Sequence, residues 1–196
     1  MCKEASFVVT KDTVFWSKNT DSHEEIIAEH QLNEGCKPEE PNFVRVEISP
    51  ANNDYRIELD KWAYRLDQDK FPKWYDASDV ESRVRAELPD WMASKIVLPD
   101  QKVESVNDST ILAVYGTINY VYGSATINKV YGSATINYVC GSATIKEVCG
   151  SATIKEVYGS GNVTAYRHLP DLKITGGGVL IDRTAGGIPV ISTSKG

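Results

Sequence analysis

One stretch restricts this chain more than any other. Residues 121–156 read VYGSATINK, VYGSATINY, VCGSATIKE and VCGSATIKE, four nonapeptides in unbroken succession. A shortened copy, VYGTINY (114–120), precedes them, and a degraded copy, VYGSGNVTAY (157–166), follows. Self-similarity at a fixed short period identifies a solenoid and overrides local propensity. Within Ser124-Ala125-Thr126-Ile127 apolar and polar residues alternate, so Ala125 and Ile127 are expected to point inward and Ser124 and Thr126 outward. The phase breaks at Asn128-Lys129, read as a corner. Val130 returns inward, Tyr131 points outward, and Gly132 turns the chain with its permissive backbone. Each nonapeptide is thus expected to be a short strand with two corners.

Nine residues would close a very tight coil, whereas two nonapeptides make an 18-residue coil with opposed strands and a thin core. The expected fold is a parallel β-helix of about 18 residues per coil, its coils about 4.8 Å apart. That period stacks Val121, Val139 and Val157 in one column and Val130 and Val148 in another. It sets Lys129 over Glu147, an opposite-charge pair, and places Tyr122, Cys140 and Tyr158 in an outward row. One coil cannot bury its own apolar face, so stability must come from neighbouring coils and from caps.

The N-terminal half reads differently. Phe7–Thr10 and Val14–Trp16 suggest a hairpin. Ser22 and Glu25 have capping-box spacing, so a helix is predicted to start there, with His23, Ile26, Ile27 and His30 on one face and Asn33-Glu34-Gly35 at its end. Phe43–Ile48 alternates as a strand. Tyr55–Leu59 and Trp62–Leu66 suggest a second hairpin. Ser78 and Glu81 form another capping box, and Val80, Val84 and Leu88 make one stripe of an amphipathic helix that Pro89 should interrupt. Trp91–Ile96 would then be a separate helical turn. All four tryptophans, Trp16, Trp62, Trp74 and Trp91, fall in this half and are read as core and cap residues. The predicted organisation is an acidic α+β domain at 1–105 and a β-solenoid with a C-terminal cap at 106–196. In that cap Leu172–Thr175 and Val179–Asp182 are expected to be closing strands, and Ser192–Gly196 a loose tail.

Charge divides along the same line. The chain carries a net −6, with 14 basic and 22 acidic residues in 1–105 against 7 and 5 in 106–196. An acidic module beside a nearly neutral one argues against direct nucleic-acid binding, which favours a basic stripe, and suits a partner protein with a basic surface. No stretch of 18 apolar residues indicates a membrane span, and MCKEASFVV lacks the apolar core of a signal peptide, so a cytoplasmic location in a host cell is expected. Cys2, Cys36, Cys140 and Cys149 form no CxxC, and the last two replace the repeat's tyrosine as free thiols.

The segment FPKWYDASDVESRVRAELPDW (71–91) followed by short Gly-Ser/Thr repeats resembles a group of uncharacterised proteins of bacteriophages and gut bacteria. VFWSKNTDSHEEII (14–27) and FVRVEISP (43–50) resemble the same group. The resemblance implies a small N-terminal domain joined to a β-solenoid of variable length, a mobile-element origin and a non-enzymatic role, with no catalytic residues to carry over.

The search for chemistry returns little. HEEIIAEH (23–30) is not HExxH, and two histidines two turns apart make no metal site alone. No serine stands in a G-x-S-x-G elbow, and ITGGGV (174–179) has no helix after it to form a phosphate loop. No catalytic residues, cofactor or metal are expected. The function expected is a non-enzymatic protein-binding module, with an inhibitor of a host nuclease or defence complex, like the anti-CRISPR proteins, as its narrower form. The candidate partner-binding residues are Glu24, Glu25, Glu39 and Glu40 on the acidic module and Tyr122, Tyr131 and Tyr158 on the solenoid. The alternatives are a structural protein that self-assembles through the solenoid, and a glycan- or ice-binding surface built from the outward Ser and Thr.

Overall fold

The computed structural model describes residues 5–33, 41–186 and 189–193. The chain divides into two compact units, 1–94 and 95–196.

The first unit opens with the antiparallel hairpin β1 (Ala5–Val9) and β2 (Val14–Phe15), closed by a 2.8 Å bond from Thr10 N to the Thr13 carbonyl. Helix α1 (His23–Glu29) starts where its cap predicts: the Ser22 hydroxyl accepts the Glu25 amide at 3.4 Å. It ends earlier than expected, with Gln31 in the left-handed region (φ 52°). Glu34 and Gly35 lie outside the described residues. His23, Ile26 and Ile27 are buried, whereas His30 faces solvent, so the expected four-residue face has three members. Strand β3 (Val44–Ser49) pairs with β1, and β4 (Ala63–Leu66) with β3, giving a sheet ordered β2-β1-β3-β4. The second hairpin is not formed. Residues 51–53 and 59–61 are single 3₁₀ turns, and β4 pairs with β3 instead.

Helix α2 (Ala77–Lys95) also corrects the sequence reading. Its cap is Asp76, whose carboxylate accepts the Asp79 amide at 2.9 Å, rather than Ser78. Pro89 lies inside the helix without breaking it. A mid-helix proline costs about 3 kcal/mol. Val80, Val84, Leu88 and Trp91 are all fully buried on one continuous stripe that spans Pro89, and their burial outweighs that cost. Trp91 meets Trp62 edge-on, with ring centroids 6.3 Å apart. Trp16 and Trp74 are only half-buried.

The second unit is a β-solenoid. It starts before residue 106, because β5 (Ile96–Val97) and β6 (Lys102–Asn107) already pair in parallel with β7 (Thr110–Val114) and β8 (Thr117–Tyr122). Strands β9 (Thr126–Val130), β10 (Thr135–Val139), β11 (Thr144–Val148), β12 (Thr153–Val157), β13 (Asn162–Ala165) and β14 (Lys173–Ile174) then alternate between two facing sheets. One sheet is β6-β8-β10-β12-β14. The other runs β5-β7-β9-β11-β13 and continues into β15 (Val179–Asp182) and β16 (Val190–Thr193). Thr135 pairs with Thr117 and Thr153, and Thr144 with Thr126 and Asn162, so the coil is 18 residues through the regular repeats. It shortens at both ends: Lys102 pairs with Thr117, and Asn162 with Val179.

The stacking follows from that period. Val121, Val139 and Val157 are in register, as are Val130 and Val148, all fully buried. Ala125, Ile127 and their equivalents complete a core of Val, Ala and Ile, joined near the C-terminus by Leu169, Leu172 and Leu180. Asn128-Lys129 is not a corner. Both residues lie within β9, and inward alternation skips across them because Ile127 and Val130, three apart, are both buried. Each nonapeptide is therefore one strand and one turn. The turn glycines take φ near +65°, and they form a column in which a Cβ on Gly141 would lie 3.0 Å from the Gly123 nitrogen. Close stacking as well as left-handed backbone thus demands glycine. At the far end β16 reverses and pairs antiparallel with β15, so Ser192 and Thr193 are strand rather than loose tail.

Candidate functional site

The same period that aligns the inward residues lines up the outward ones. On the β6–β14 sheet, Tyr120 and Tyr138 occupy one row; their rings stack with centroids 4.9 Å apart and planes 16° from parallel. Glu156 and Lys173 continue that row, with the Lys173 ammonium 3.5 Å from the Glu156 carboxylate. Two residues further along come Tyr122, at the end of β8, and Cys140 and Tyr158, the first residues after β10 and β12. Residues i and i+2 of a strand share a face, so the two rows flank the buried Val121–Val139–Val157 column and form one aromatic patch. Tyr120 and Tyr122 are each 37 % exposed. The Tyr158 phenol is pushed up to about 12, first by its hydrogen bond with the Cys140 thiol and then by burial. Tyr158 therefore stays neutral and hydrogen-bond-competent at physiological pH.

A second row lies on the other sheet. Tyr115 and Tyr131 stack at 5.3 Å and 13°, and Lys129 lies 5.6 Å from the Tyr131 ring centroid while pairing with Glu147 at 2.8 Å. Burial raises the pKa of Tyr131 and of the Cys149 thiol, and the Cys149 thiol donates to the Val130 carbonyl at 3.4 Å. Of the three tyrosines singled out from the sequence, Tyr122 and Tyr158 thus share a face and Tyr131 is on the other sheet. Tyr120 and Tyr138, the stacked pair at the centre of the first patch, were not among them. Their 18-residue separation was the available signal.

Outward threonines also form columns: Thr117, Thr135 and Thr153 on one sheet, and Thr110, Thr126 and Thr144 on the other. The second column ends at Asn162 and Val179. The parallel row two residues on, Asn119, Asn137 and Lys155, is hydrogen-bonded within itself, Asn137 Nδ2 donating to Asn119 Oδ1 at 3.1 Å, and ends in a charge. These rows are short and chemically mixed.

On the first unit, Glu24 and Glu25 are exposed at the start of α1. The Glu24 carboxyl is held below its ordinary value by a backbone amide, then by the Ser22 hydroxyl, with Arg45 contributing. Glu39 and Glu40 lie outside the described residues. The unit holds 12 basic and 20 acidic side chains. One polar cluster there, with His23 and Glu47 buried and Asp67 exposed, was not legible in the sequence. His23, Glu47 and Asp67 place ligand-type atoms within 4.8 Å of one another. His23 Nδ1 is 3.1 Å from Asp67 Oδ2 and Nε2 is 3.1 Å from the Val46 carbonyl, while Glu47 is ion-paired with Arg65. With both ring nitrogens engaged and a guanidinium on Glu47, the group fastens α1 to β3 and to the end of β4 instead of presenting open ligands.

The fold defines a class: a small α+β unit followed in the chain by a two-sheet β-solenoid with tyrosine rows on its faces. No family model, curated protein or solved structure matches the chain.

Proposed function

We propose that this chain is a non-enzymatic protein-binding module that docks through the tyrosine patch of the β6–β14 sheet. The observation behind this reading is the two adjacent outward rows, Tyr120–Tyr138 and Tyr122–Cys140–Tyr158, in register along the β6–β14 sheet. Tyrosine supplies large contact area at little entropic cost and is enriched where protein interfaces are fully buried. Stacking holds two of these rings in place before a partner arrives, which lowers the ordering cost of binding. Glu156 and Lys173 at the end of the first row supply a polar rim.

The acidic first unit gives the partner its sign. A net −8 on 94 residues favours encounter with a basic protein surface and speeds association more than it deepens affinity. Basic surfaces of that kind belong above all to proteins that handle nucleic acid. The narrower form of the proposal is an inhibitor of a host nuclease or defence complex, carried by a phage or mobile element.

The test is affinity capture from bacterial lysate with the intact chain immobilised, beside a Tyr120→Ser/Tyr138→Ser variant and a Glu24→Lys/Glu25→Lys variant. A protein retained by the wild type, lost by the tyrosine variant and bound more slowly by the charge-reversed one supports the proposal. Equal retention by all three would overturn it.

A further inference from the structure

We propose that β16, the C-terminal edge of the solenoid, is a self-association surface whose occupant is the β16 strand of a second copy of this chain. The two strands would pair antiparallel about a two-fold axis and join the two seven-stranded sheets into one. β16 is the last strand of its sheet, with β15 on one side and, among the described residues, no strand on the other. Its outer edge therefore presents backbone donors and acceptors ready to pair.

Three features set this edge apart. The first is composition. β16 reads Val-Ile-Ser-Thr, without a charge, and Val190 and Ile191 are 62 % and 65 % exposed, more than any other large hydrophobic residue described. The other solenoid edges are protected. β6 carries Lys102 and Glu104, β14 is two residues long and starts with Lys173, and the two residues of β5 are buried. Charge, brevity and burial are the ordinary means by which sheet edges avoid pairing; β16, four residues long, has neither charge nor burial.

The second is topology. The β6–β14 sheet stops at β14, in the same coil as β13, while the facing sheet runs on through β15 and β16. Register pairs Leu180 with Ser192, Ile181 with Ile191 and Asp182 with Val190. Directly opposed residues share a face, and Leu180 packs on the core. Val190 and Ser192 therefore lie on the core side, beyond the last strand of the opposing sheet, and Ile191 lies on the outer side. An apolar side chain is left open on each face.

The third feature selects the partner. A two-fold contact sets a strand antiparallel to itself and closes after two copies. Because β16 carries no charge, self-pairing opposes no like charges, and it requires no complementary patch elsewhere. A four-residue strand buries far less than the roughly 800 Å² per partner of a standard interface, so the dimer is expected to be concentration-dependent and in rapid exchange.

Sedimentation velocity of the full chain, from low to high micromolar concentration, tests this. The wild type should pass from monomer to dimer and stop there, with little response to salt. Ile191→Lys and, separately, Val190→Lys should remain monomeric across the range; both residues are exposed, so their melting curves should match the wild type. A wild type that stays monomeric, a dimer that survives both substitutions, or assembly past the dimer would each overturn the proposal. So would a dimer abolished by Tyr120→Ser/Tyr138→Ser but kept by Ile191→Lys, since that would locate the contact on the tyrosine patch.

Discussion

Replacing Ile136 by Asp is the sharpest perturbation of the solenoid. Ile136 is fully buried in β10, in register with Ile118 on one side and Ile154 on the other. Removing the isoleucine side chain costs about 2–5 kcal/mol. The carboxylate that replaces it meets only aliphatic neighbours, and a buried charge without a partner costs several kcal/mol more, on the order of 3–5. Together these match the whole stability of a typical domain, roughly 5–15 kcal/mol. Ile136 sits in a central coil, and a solenoid is held by nearest-neighbour contacts, so the damage divides the array. Thr135→Asp, one residue away, puts its carboxylate on the half-exposed outer face, where surface changes cost about 0.5 kcal/mol or less. The assay uses the distribution of tryptophan. All four lie in residues 1–94, so tryptophan fluorescence in a urea titration follows the first unit while the β signal in far-ultraviolet circular dichroism is dominated by the second. Ile136→Asp should abolish the cooperative dichroism transition and leave a tryptophan transition in place, and Thr135→Asp should leave both near wild type. Equal losses from the two substitutions would refute the register.

Three further outcomes follow from the same geometry. Gly141→Ala should lower the solenoid's urea midpoint more than Gly132→Ala: both have left-handed backbone, worth about 1–2 kcal/mol against a non-glycine residue, but only at Gly141 would the new Cβ also press on the neighbouring coil. Cys140 and Cys149 follow β10 and β11, which belong to different sheets, so mild oxidation of dilute protein should leave both thiols free within one chain; a quantitative Cys140–Cys149 crosslink by peptide mass spectrometry would contradict the two-sheet coil. The Asp108 carboxyl is held low by the Ser124 amide and then by the Ser124 hydroxyl. A depressed carboxylate stabilises the fold above its unfolded pKa, near 4, and that contribution is lost as pH falls through the folded value. The solenoid midpoint should therefore drop on acidification below about pH 4, and less steeply in Asp108→Asn.

What the sequence disclosed depended on whether one period decided the matter. The 18-residue coil, its valine columns and the Lys129–Glu147 pair follow from counting, because every position in a repeat inherits its environment from the copies above and below. Legibility failed where tertiary burial decided. Pro89 reads locally as a helix breaker, but Leu88 and Trp91 on either side of it are both needed in the core, and the helix runs through. Tyr55–Leu59 has the apolar residues of a strand, yet the chain is bent by 3₁₀ turns at 51–53 and 59–61, Tyr55 packs against Trp62, and β4 takes its partner from β3. His23, Glu47 and Asp67 are far apart in sequence and meet only because the sheet brings β3 and the end of β4 under α1. The Tyr115–Tyr131 stack was hidden for another reason. The shortened first copy lacks two residues, so those rings stand 16 apart and not 18.

The repeat also separates what the solenoid needs from what it leaves open. Across the four nonapeptides the inward Ala, Ile and Val and the turn Gly-Ser never change. All the variation falls at three outward positions, which read Tyr, Tyr, Cys, Cys after the valine and Asn-Lys, Asn-Tyr, Lys-Glu, Lys-Glu before the next one. A strand that served only as a spacer would need no particular outward residues. Here the changes are ordered along the axis: aromatic rings occupy the early coils, and thiols and Lys-Glu pairs the later ones. Because adjacent strands of one sheet come from alternate nonapeptides, this ordering gathers Tyr120, Tyr122 and Tyr138 at one end of the β6–β14 sheet and leaves Lys155 and Glu156, with Tyr158 just after them, toward the other. A face with stacked rings toward one end and the Glu156–Lys173 pair toward the other has a direction, and a protein docking on it would do so in one orientation. The uncharged β16 edge lies beyond the charged end. Pairing there would join the β5–β16 sheets of two copies and leave the aromatic end of each copy's facing β6–β14 sheet at the far end from the contact.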